Sequence, residues 1–233
     1  MRIHNTTLKN IDVKSRSYVL DGLLLNLDAA SYISGNWVDT VSGISFTLEN
    51  SPVHSPSHGG IFTFTPASGQ WAHSSESLPS QANWTVEIWH NWNNEYTGIA
   101  PCLLTELWPN TPHRLNFSVG TLLTSAPYFQ SGFFTGYWKA TNPGYILGAN
   151  VWHHIIASYD GSTIKLIIDN TLASSTSESA ASSSGSQGIR LMRRWDDADY
   201  WGGDLGSVRI YNRALSDSEI AFNFNGTRAR YGI

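Results

Sequence analysis

Hydrophobic residues along this chain come in short runs separated by turn-forming residues, and where a run has a period the period is two. In the stretch Trp84 to Asn91, Trp84, Val86, Ile88 and His90 fall on one side, and Thr85, Glu87, Trp89 and Asn91 on the other. That is the pattern of a strand whose successive side chains point to opposite faces. Val151 to Tyr159 and Thr163 to Asp169 are rich in β-branched and aromatic residues and are joined through Asp160-Gly161. Such a dipeptide accepts the backbone angles of a tight turn, so the pair predicts a hairpin. Tyr18 to Leu27, with near-continuous Leu in its second half, predicts a strand buried on both faces. Further short strands are predicted over Ile44 to Leu48, Ile61 to Thr65, Ala100 to Leu107, Leu115 to Val119, Tyr128 to Phe129, Phe133 to Trp138, Tyr145 to Leu147, Gly188 to Arg193 and Leu205 to Tyr211. Trp71 to Ser80 reads as a loop with a possible short edge strand, and the segment after Asp169 as a Ser-rich connection.

Helical spacing is absent until Asp217. There Ser216 is the N-cap, Glu219 completes a capping box, and Leu215 with Ile220 forms a hydrophobic staple. Asn225-Gly226 is expected to end the helix. A dozen or so short strands with turn signals between them, no internal repeat and one short C-terminal helix predict an all-β, two-sheet antiparallel sandwich. Met1 to Ser17 is polar and without periodicity and reads as an N-terminal arm, leaving residues 18–233 as a single domain. A length of 233 residues with 41% hydrophobic content suits one large β domain.

Composition narrows the function classes. Charged residues make up 14% of the chain, well below the roughly 25% of an average soluble protein, and Ser, Thr, Asn and Gly supply the polarity instead. Net charge is −4 and the basic residues are scattered. The one cluster, Arg190, Arg193 and Arg194, is followed directly by Asp196, Asp197 and Asp199, which disfavours nucleic acid as a partner. No run is long enough to span a membrane, so no membrane insertion is expected, and Met1 to Ser17 has no apolar stretch that would read as a signal peptide. The single Cys102 excludes an intramolecular disulfide framework and reads as a small core residue. Four glycosylation sequons, at Asn5, Asn83, Asn116 and Asn225, are read as chance matches in an Asn- and Thr-rich chain.

Three stretches carry a family resemblance: Asn150-Val151-Trp152-His153-His154-Ile155, then Tyr159-Asp160-Gly161-Ser162, then Gly206-Ser207-Val208-Arg209-Ile210-Tyr211-Asn212-Arg213-Ala214-Leu215-Ser216. They resemble the laminin-G-like domains of the concanavalin A-like lectin/glucanase superfamily, and most of all the free-standing versions in bacteriophage structural proteins. Upstream, Gly22 to Ala30 looks like the first sandwich strand of those domains, Trp37 to Gly43 like the loop after it, and Asn83 to Trp89 like their next core strand. The resemblance implies a lectin-like jelly roll in which the N-terminal strand lies beside the strand preceding the helix.

The resembling hydrolases carry Glu-x-Asp-x-Glu, or a one-residue expansion of it, on one strand, where alternate carboxylates share a face and come close enough for retaining chemistry. That motif is absent here, and Glu87, Glu95 and Glu106 stand alone among apolar or amide neighbours. His153 and His154 are adjacent on a strand and so point to opposite faces, which prevents them from sharing a metal. One is expected buried and the other half-exposed. Calcium is a possible cofactor, because resembling domains hold it at loop ends, and Asp196, Asp197, Asp199 and Asp204 offer suitable hard oxygens. The alternative for these residues is simple turn solvation, with Asp204 capping the final strand.

The best binding candidate is the loop carrying Arg193, Arg194, Trp195, Asp197, Asp199, Tyr200 and Trp201. Aromatic faces stack on sugar rings, while Arg and Asp hydrogen-bond hydroxyls. Trp92, Trp108, Tyr137 and Trp138 are candidates to extend this surface, whereas Trp84, Trp89 and Trp152 lie within alternating strands and read as core. The resemblance, the lone domain and the polar arm together imply a non-catalytic virion surface protein of a bacteriophage. It would be a capsid decoration or fibre-like protein, assembled in the host cytoplasm and displayed on the particle for stabilisation or glycan adhesion. Residues 1–17 would contact capsid or other virion proteins, and a homo-oligomer such as a trimer would suit capsid positions. Two alternatives stand beside this: a stand-alone carbohydrate-binding lectin module, calcium-dependent or not, and a polysaccharide hydrolase or lyase.

Overall fold

The computed structural model describes residues 17–74, 76–79, 82–98, 102–106, 116–120, 128–134, 138–141, 147–179, 188–194 and 199–233. For 102, 106, 116–120, 128–134 and 138–141 it describes the backbone alone. Residues 1–16 of the arm Met1 to Ser17, and Trp108, Tyr137, Trp195, Asp196 and Asp197, lie outside these ranges.

Sixteen strands are present among the described residues. In chain order they are β1 (Leu23–Asp28), β2 (Trp37–Val38), β3 (Ser45–Glu49), β4 (Val53–Ser55), β5 (Ile61–Phe64), β6 (Trp71–Ser74), β7 (Trp84–Asn91) and β8 (Cys102–Glu106). They continue as β9 (Asn116–Gly120), β10 (Tyr128–Phe134), β11 (Trp138–Thr141), β12 (Trp152–Tyr159), β13 (Thr163–Ile168), β14 (Thr171–Ser177), β15 (Ile189–Leu191) and β16 (Gly203–Tyr211). One helix, α1 (Asp217–Tyr231), follows. The strands form two eight-stranded antiparallel sheets. The first runs β14-β13-β12-β7-β16-β5-β4, and the second runs β11-β10-β9-β8-β15-β6-β3-β2. Strand β1 pairs with the far half of β16, Leu23 opposite Tyr211 and Asp28 opposite Ser207, as the resemblance implied.

The alternation read in β7 holds. Trp84, Val86 and Ile88 join the core between the sheets, where they meet Ile155, Val208, Phe62, Trp37 and Leu191. The opposite face of the first sheet is covered by α1. Ile220 packs with Leu215, Tyr211, Ile156 and Ile167, and Tyr231 and Phe224 pack with Trp89 and Trp152. The central strands are therefore buried on both faces. His153 and His154 do face opposite ways, yet both are buried rather than one being half-exposed, because the helix closes the side that would otherwise meet solvent.

The start of α1 follows its sequence signals. Ser216 Oγ accepts from the Glu219 amide, and the Glu219 carboxylate accepts from the Ser216 amide. Its end does not: Asn225 and Gly226 lie inside the helix, which continues to Tyr231 and terminates at Gly232 with φ +80°. Gly226 has another reason to be glycine. A methyl group there would overlap the Ser17 carbonyl, which crosses the helix at that point. Two further expectations shift. Trp71–Ser74 is an internal strand between β15 and β3, and the Ser-rich connection forms β14, the last strand of its sheet among the described residues.

Between the first sheet and α1 lies a buried polar network. Arg209 Nη1 donates to Glu87 Oε1 (2.6 Å) across the β7–β16 pair, and both residues are 1% exposed. Asn223 of α1 donates to Glu87 Oε2 (2.6 Å), and Arg209 Nε donates to Asn26 Oδ1 (3.0 Å). His154 Nε2 lies 3.1 Å from Glu87 Oε1. Burial alone pushes the Glu87 carboxyl up, but Arg209, His154 and Asn223 together outweigh it and hold the pKa at about 2. Glu87 therefore does not stand alone, as its sequence neighbours suggested. It is a fixed ionic link between sheet and helix.

Candidate functional site

The segment singled out from the sequence is a hairpin at one end of the sandwich. Arg193 bridges to Tyr200, the Arg194 amide donates to Asp199 O (2.8 Å), and the Trp201 amide donates to Met192 O (2.9 Å). Its base is fixed from below. Trp201 is completely buried and its indole N–H donates to His90 Nε2 (2.6 Å). His90 Nδ1 faces the Asp204 carbonyl at 2.8 Å, so the network assigns the proton to Nδ1 and leaves Nε2 as the acceptor. Burial lowers the His90 pKa to about 3, with nearby His153 adding to the effect against a backbone contact that raises it, which keeps the ring neutral as this bond requires. Trp92 lies near-parallel to Trp201, ring centres 5.4 Å apart, and Tyr96 likewise at 6.4 Å.

The seven candidate residues therefore separate. Trp201 is a core anchor, and its full burial removes it from ligand contact. Trp92, at 3% exposure, leaves the candidate surface for the same reason. Asp199 is buried and accepts from Arg194 Nη1 at 2.8 Å, making the pair an internal brace of the hairpin. Arg193 and Tyr200 remain at the surface, both half-buried. Trp195 and Asp197 lie outside the described residues.

The structure adds neighbours that the sequence reading missed. The Arg193 guanidinium lies 4.4 Å from the centre of the Trp71 ring and 5.0 Å from that of Tyr200, a cation layered between two aromatic faces. Arg190 also lies over Trp71, at 4.9 Å. Trp71 stacks on His73 (4.5 Å, 21°), and His73 Nε2 is 3.0 Å from Glu49 Oε1. Trp71 and His73 are two apart on β6, with Ala72 and Ser74 turned to the interior. The available signal was this four-residue alternation, too short to stand out beside the loop reading. The outcome is a row of half-exposed side chains, His73, Trp71, Arg193 and Tyr200, on the outer face of the second sheet.

The proposed calcium ligands do not converge where they are described. Asp199 is committed to Arg194, and Asp204 Oδ1 accepts from Thr63 Oγ1 at 2.6 Å. Among the described residues no three His, Cys, Asp or Glu side chains gather around one point. Glu87, sealed in its ionic network, is out of reach of a substrate.

A two-sheet antiparallel sandwich with a terminal helix is the architecture of lectin-like β domains. The chain belongs to the concanavalin A-like lectin/glucanases superfamily, whose laminin-G-like family model matches residues 65–221. No curated protein sequence matches it significantly. Among solved structures it is similar to domain 4 of AbnA, a GH43 extracellular arabinanase from Geobacillus stearothermophilus, in complex with arabinotriose. The TM-score is 0.70 at 14% identity, covering 88% of this chain and 98% of that one. It is also similar to the binding domain of botulinum neurotoxin DC in complex with SialylT, with TM-score 0.68, 11% identity and 89% of this chain covered. The binding domain of Paraclostridial Mosquitocidal Protein 1 gives 0.66 at 15% identity, covering 88% of this chain. This chain spans about half the length of each of those two toxin chains, 52% in both cases. At such identities the likeness establishes the shared fold.

Proposed function

We propose that this chain is a non-catalytic glycan-binding domain, with its contact surface on the row His73, Trp71, Arg193 and Tyr200, joined, on the sequence reading, by Trp195 and Asp197. The observation that carries this reading is the layered Trp71–Arg193–Tyr200 arrangement, which holds two aromatic rings half-exposed and fixed in orientation. With the faces of Trp71 taken up by Arg193 and His73, the row would offer a sugar its ring edges beside polar groups, already ordered and so at little entropic cost. Two neighbours of the same fold, solved with arabinotriose and with SialylT, support saccharide as the ligand class.

The finer reading places the domain on a bacteriophage virion, as a capsid decoration or fibre-like protein assembled in the host cytoplasm. Its arm, residues 1–17, would engage other virion proteins, and a homo-oligomer such as a trimer would suit this position. Its support is the sequence resemblance. Calcium would draw on Asp196 and Asp197, since Asp199 is held by Arg194 and Asp204 by Thr63.

The test is a glycan-array screen of the purified protein, run with calcium and again with EDTA. Binding that is lost in Trp71→Ala or Trp195→Ala while the fold is retained is the expected result. An array blank in both conditions would refute the reading. Loss of binding in EDTA would assign the acidic cluster to calcium. For the virion reading, a chain lacking residues 1–17 should fold but fail to enter particles, and normal incorporation would overturn that part.

A further inference from the structure

Beside the hairpin is a cleft of about 350 Å³ that none of the preceding argument uses. One wall is the turn after β5, with Pro66 and Ala67, and the other is the loop after β7, with Asn94, Glu95, Tyr96 and Thr97. Its size lies at the low end of the roughly 300–1,000 Å³ of small-molecule sites. The polar wall is held in place by its own bonds. Asn93 Oδ1 accepts from the Glu95 amide (3.1 Å), and Asn93 Nδ2 donates to Glu95 Oε2 (3.1 Å). Between them Asn94 is forced to φ +65°, a backbone region that side-chain-bearing residues rarely adopt. The Thr97 amide donates to Tyr200 O (2.9 Å), Thr97 Oγ1 accepts from the Tyr200 amide (3.0 Å), and Gly202 N donates to Glu95 O (3.0 Å).

The two walls meet at Gly202. A methyl group there would lie 2.7 Å from Asn93 Oδ1, 2.9 Å from Glu95 O and 2.9 Å from Pro66 Cδ, so glycine is what allows them to close to this width. Tyr96, 39% exposed, is backed by Trp201.

We propose that this cleft is a second saccharide subsite, separate from the Trp71–Tyr200 row, that takes one neutral sugar ring bearing vicinal hydroxyls. Glu95 supplies a carboxylate oxygen to accept from a diol, Asn94 a carboxamide that both donates and accepts, and Thr97 a hydroxyl. Ala67 and the Tyr96 ring, over the buried Pro66, give apolar surface for the sugar C–H groups. None of the described lining residues is basic, and Glu95 repels anions, so sialic and uronic acids are excluded from this cleft. The proposal shares its ligand class with the reading above but stands even if the Trp71–Tyr200 row binds nothing.

The test is saturation-transfer NMR and calorimetric titration with the methyl glycosides of glucose, galactose, mannose and arabinose, and with N-acetylneuraminic acid as the anionic control. Binding of at least one neutral glycoside is expected. It should weaken about tenfold in Tyr96→Ala, as suits loss of a stacking ring, and several-fold in the isosteric Glu95→Gln, which keeps the shape of the wall. Trp71→Ala should leave it unchanged, whereas the oligosaccharide binding proposed above should respond to Trp71→Ala and not to Glu95→Gln. No binding by any neutral glycoside, or binding unaffected by both Tyr96→Ala and Glu95→Gln, would overturn the subsite.

Discussion

Replacing Arg209 by Leu tests the ionic link between sheet and helix. Arg209 and Glu87 are neighbours on β16 and β7, each 1% exposed, and bonded at 2.6 Å. Removing one partner of such a pair leaves an uncompensated buried charge, a loss of about 3–5 kcal/mol, or about 10 °C in Tm for a chain of this size. The pH dependence is more diagnostic. In the native protein the Glu87 pKa is lowered from 4.5 to about 2, which amounts to on the order of 3 kcal/mol of stability. Because the folded value is the depressed one, that contribution is complete above pH 4.5 and is lost as pH falls through 2. Without Arg209 the largest influence that lowers the folded value is lost, and that value rises. Protonating Glu87 then relieves the variant, so its deficit relative to the native protein should be greatest at pH 7 and shrink toward pH 3. Urea melts followed by tryptophan fluorescence at pH 7, 5 and 3 measure both quantities. A deficit below about 1 kcal/mol at pH 7, the range of an exposed pair, or one equal at pH 3 and 7, would refute the assignment.

Three other substitutions test the remaining structural claims. Ser216→Ala removes the capping-box acceptor at the start of α1 and should cost about 1 kcal/mol in the same urea melts. Trp201→Phe deletes the donor to buried His90 Nε2; an unpaired buried acceptor costs about 1–3 kcal/mol, so the melting temperature should fall although the core stays aromatic. Gly226→Ala would gain about 1 kcal/mol from helix propensity alone. Destabilisation measured there instead would show that the overlap with the Ser17 carbonyl decides, and a gain would show that the crossing segment yields.

What could be read from the sequence was whatever is enforced locally. The face alternation of β7 and the cap of α1 depend on residues two to four positions apart, and both are found as expected. The parts that were misread depend on distant partners. Gly226 has the form of a helix stop, but the segment that demands glycine there is Ser17, at the other end of the domain. Trp201 reads as an exposed loop aromatic because its acceptor, His90, is 111 positions away. The burial of both His153 and His154 follows from α1 covering the first sheet, which no strand pattern contains. β14, Thr171–Ser177, carries almost no apolar alternation because it ends its sheet among the described residues and is largely exposed, leaving little hydrophobic burial to write a pattern. The hairpin stood out from the sequence by its aromatic and charged groups. What its composition lacked was the division between anchors (Trp201, Asp199) and surface (Arg193, Tyr200).

That division bears on how this end of the sandwich could bind anything firmly. Ordering a loop on binding costs about 0.5–1.5 kcal/mol per immobilised side chain, so a binding loop gains affinity when that cost is met on folding instead. Here Trp201 joins both surfaces to the core. On one side its amide closes the hairpin that presents Arg193 and Tyr200. On the other its ring backs Tyr96 at the cleft, and the next residue, Gly202, sets the distance between the cleft walls. The bond from Trp201 to neutral His90 fixes this junction in a dry interior, where a hydrogen bond is stronger than in water. The buried residues of the 193–201 segment thus hold the exposed ones in place, and the row and the cleft share one rigid support while differing in the chemistry they present.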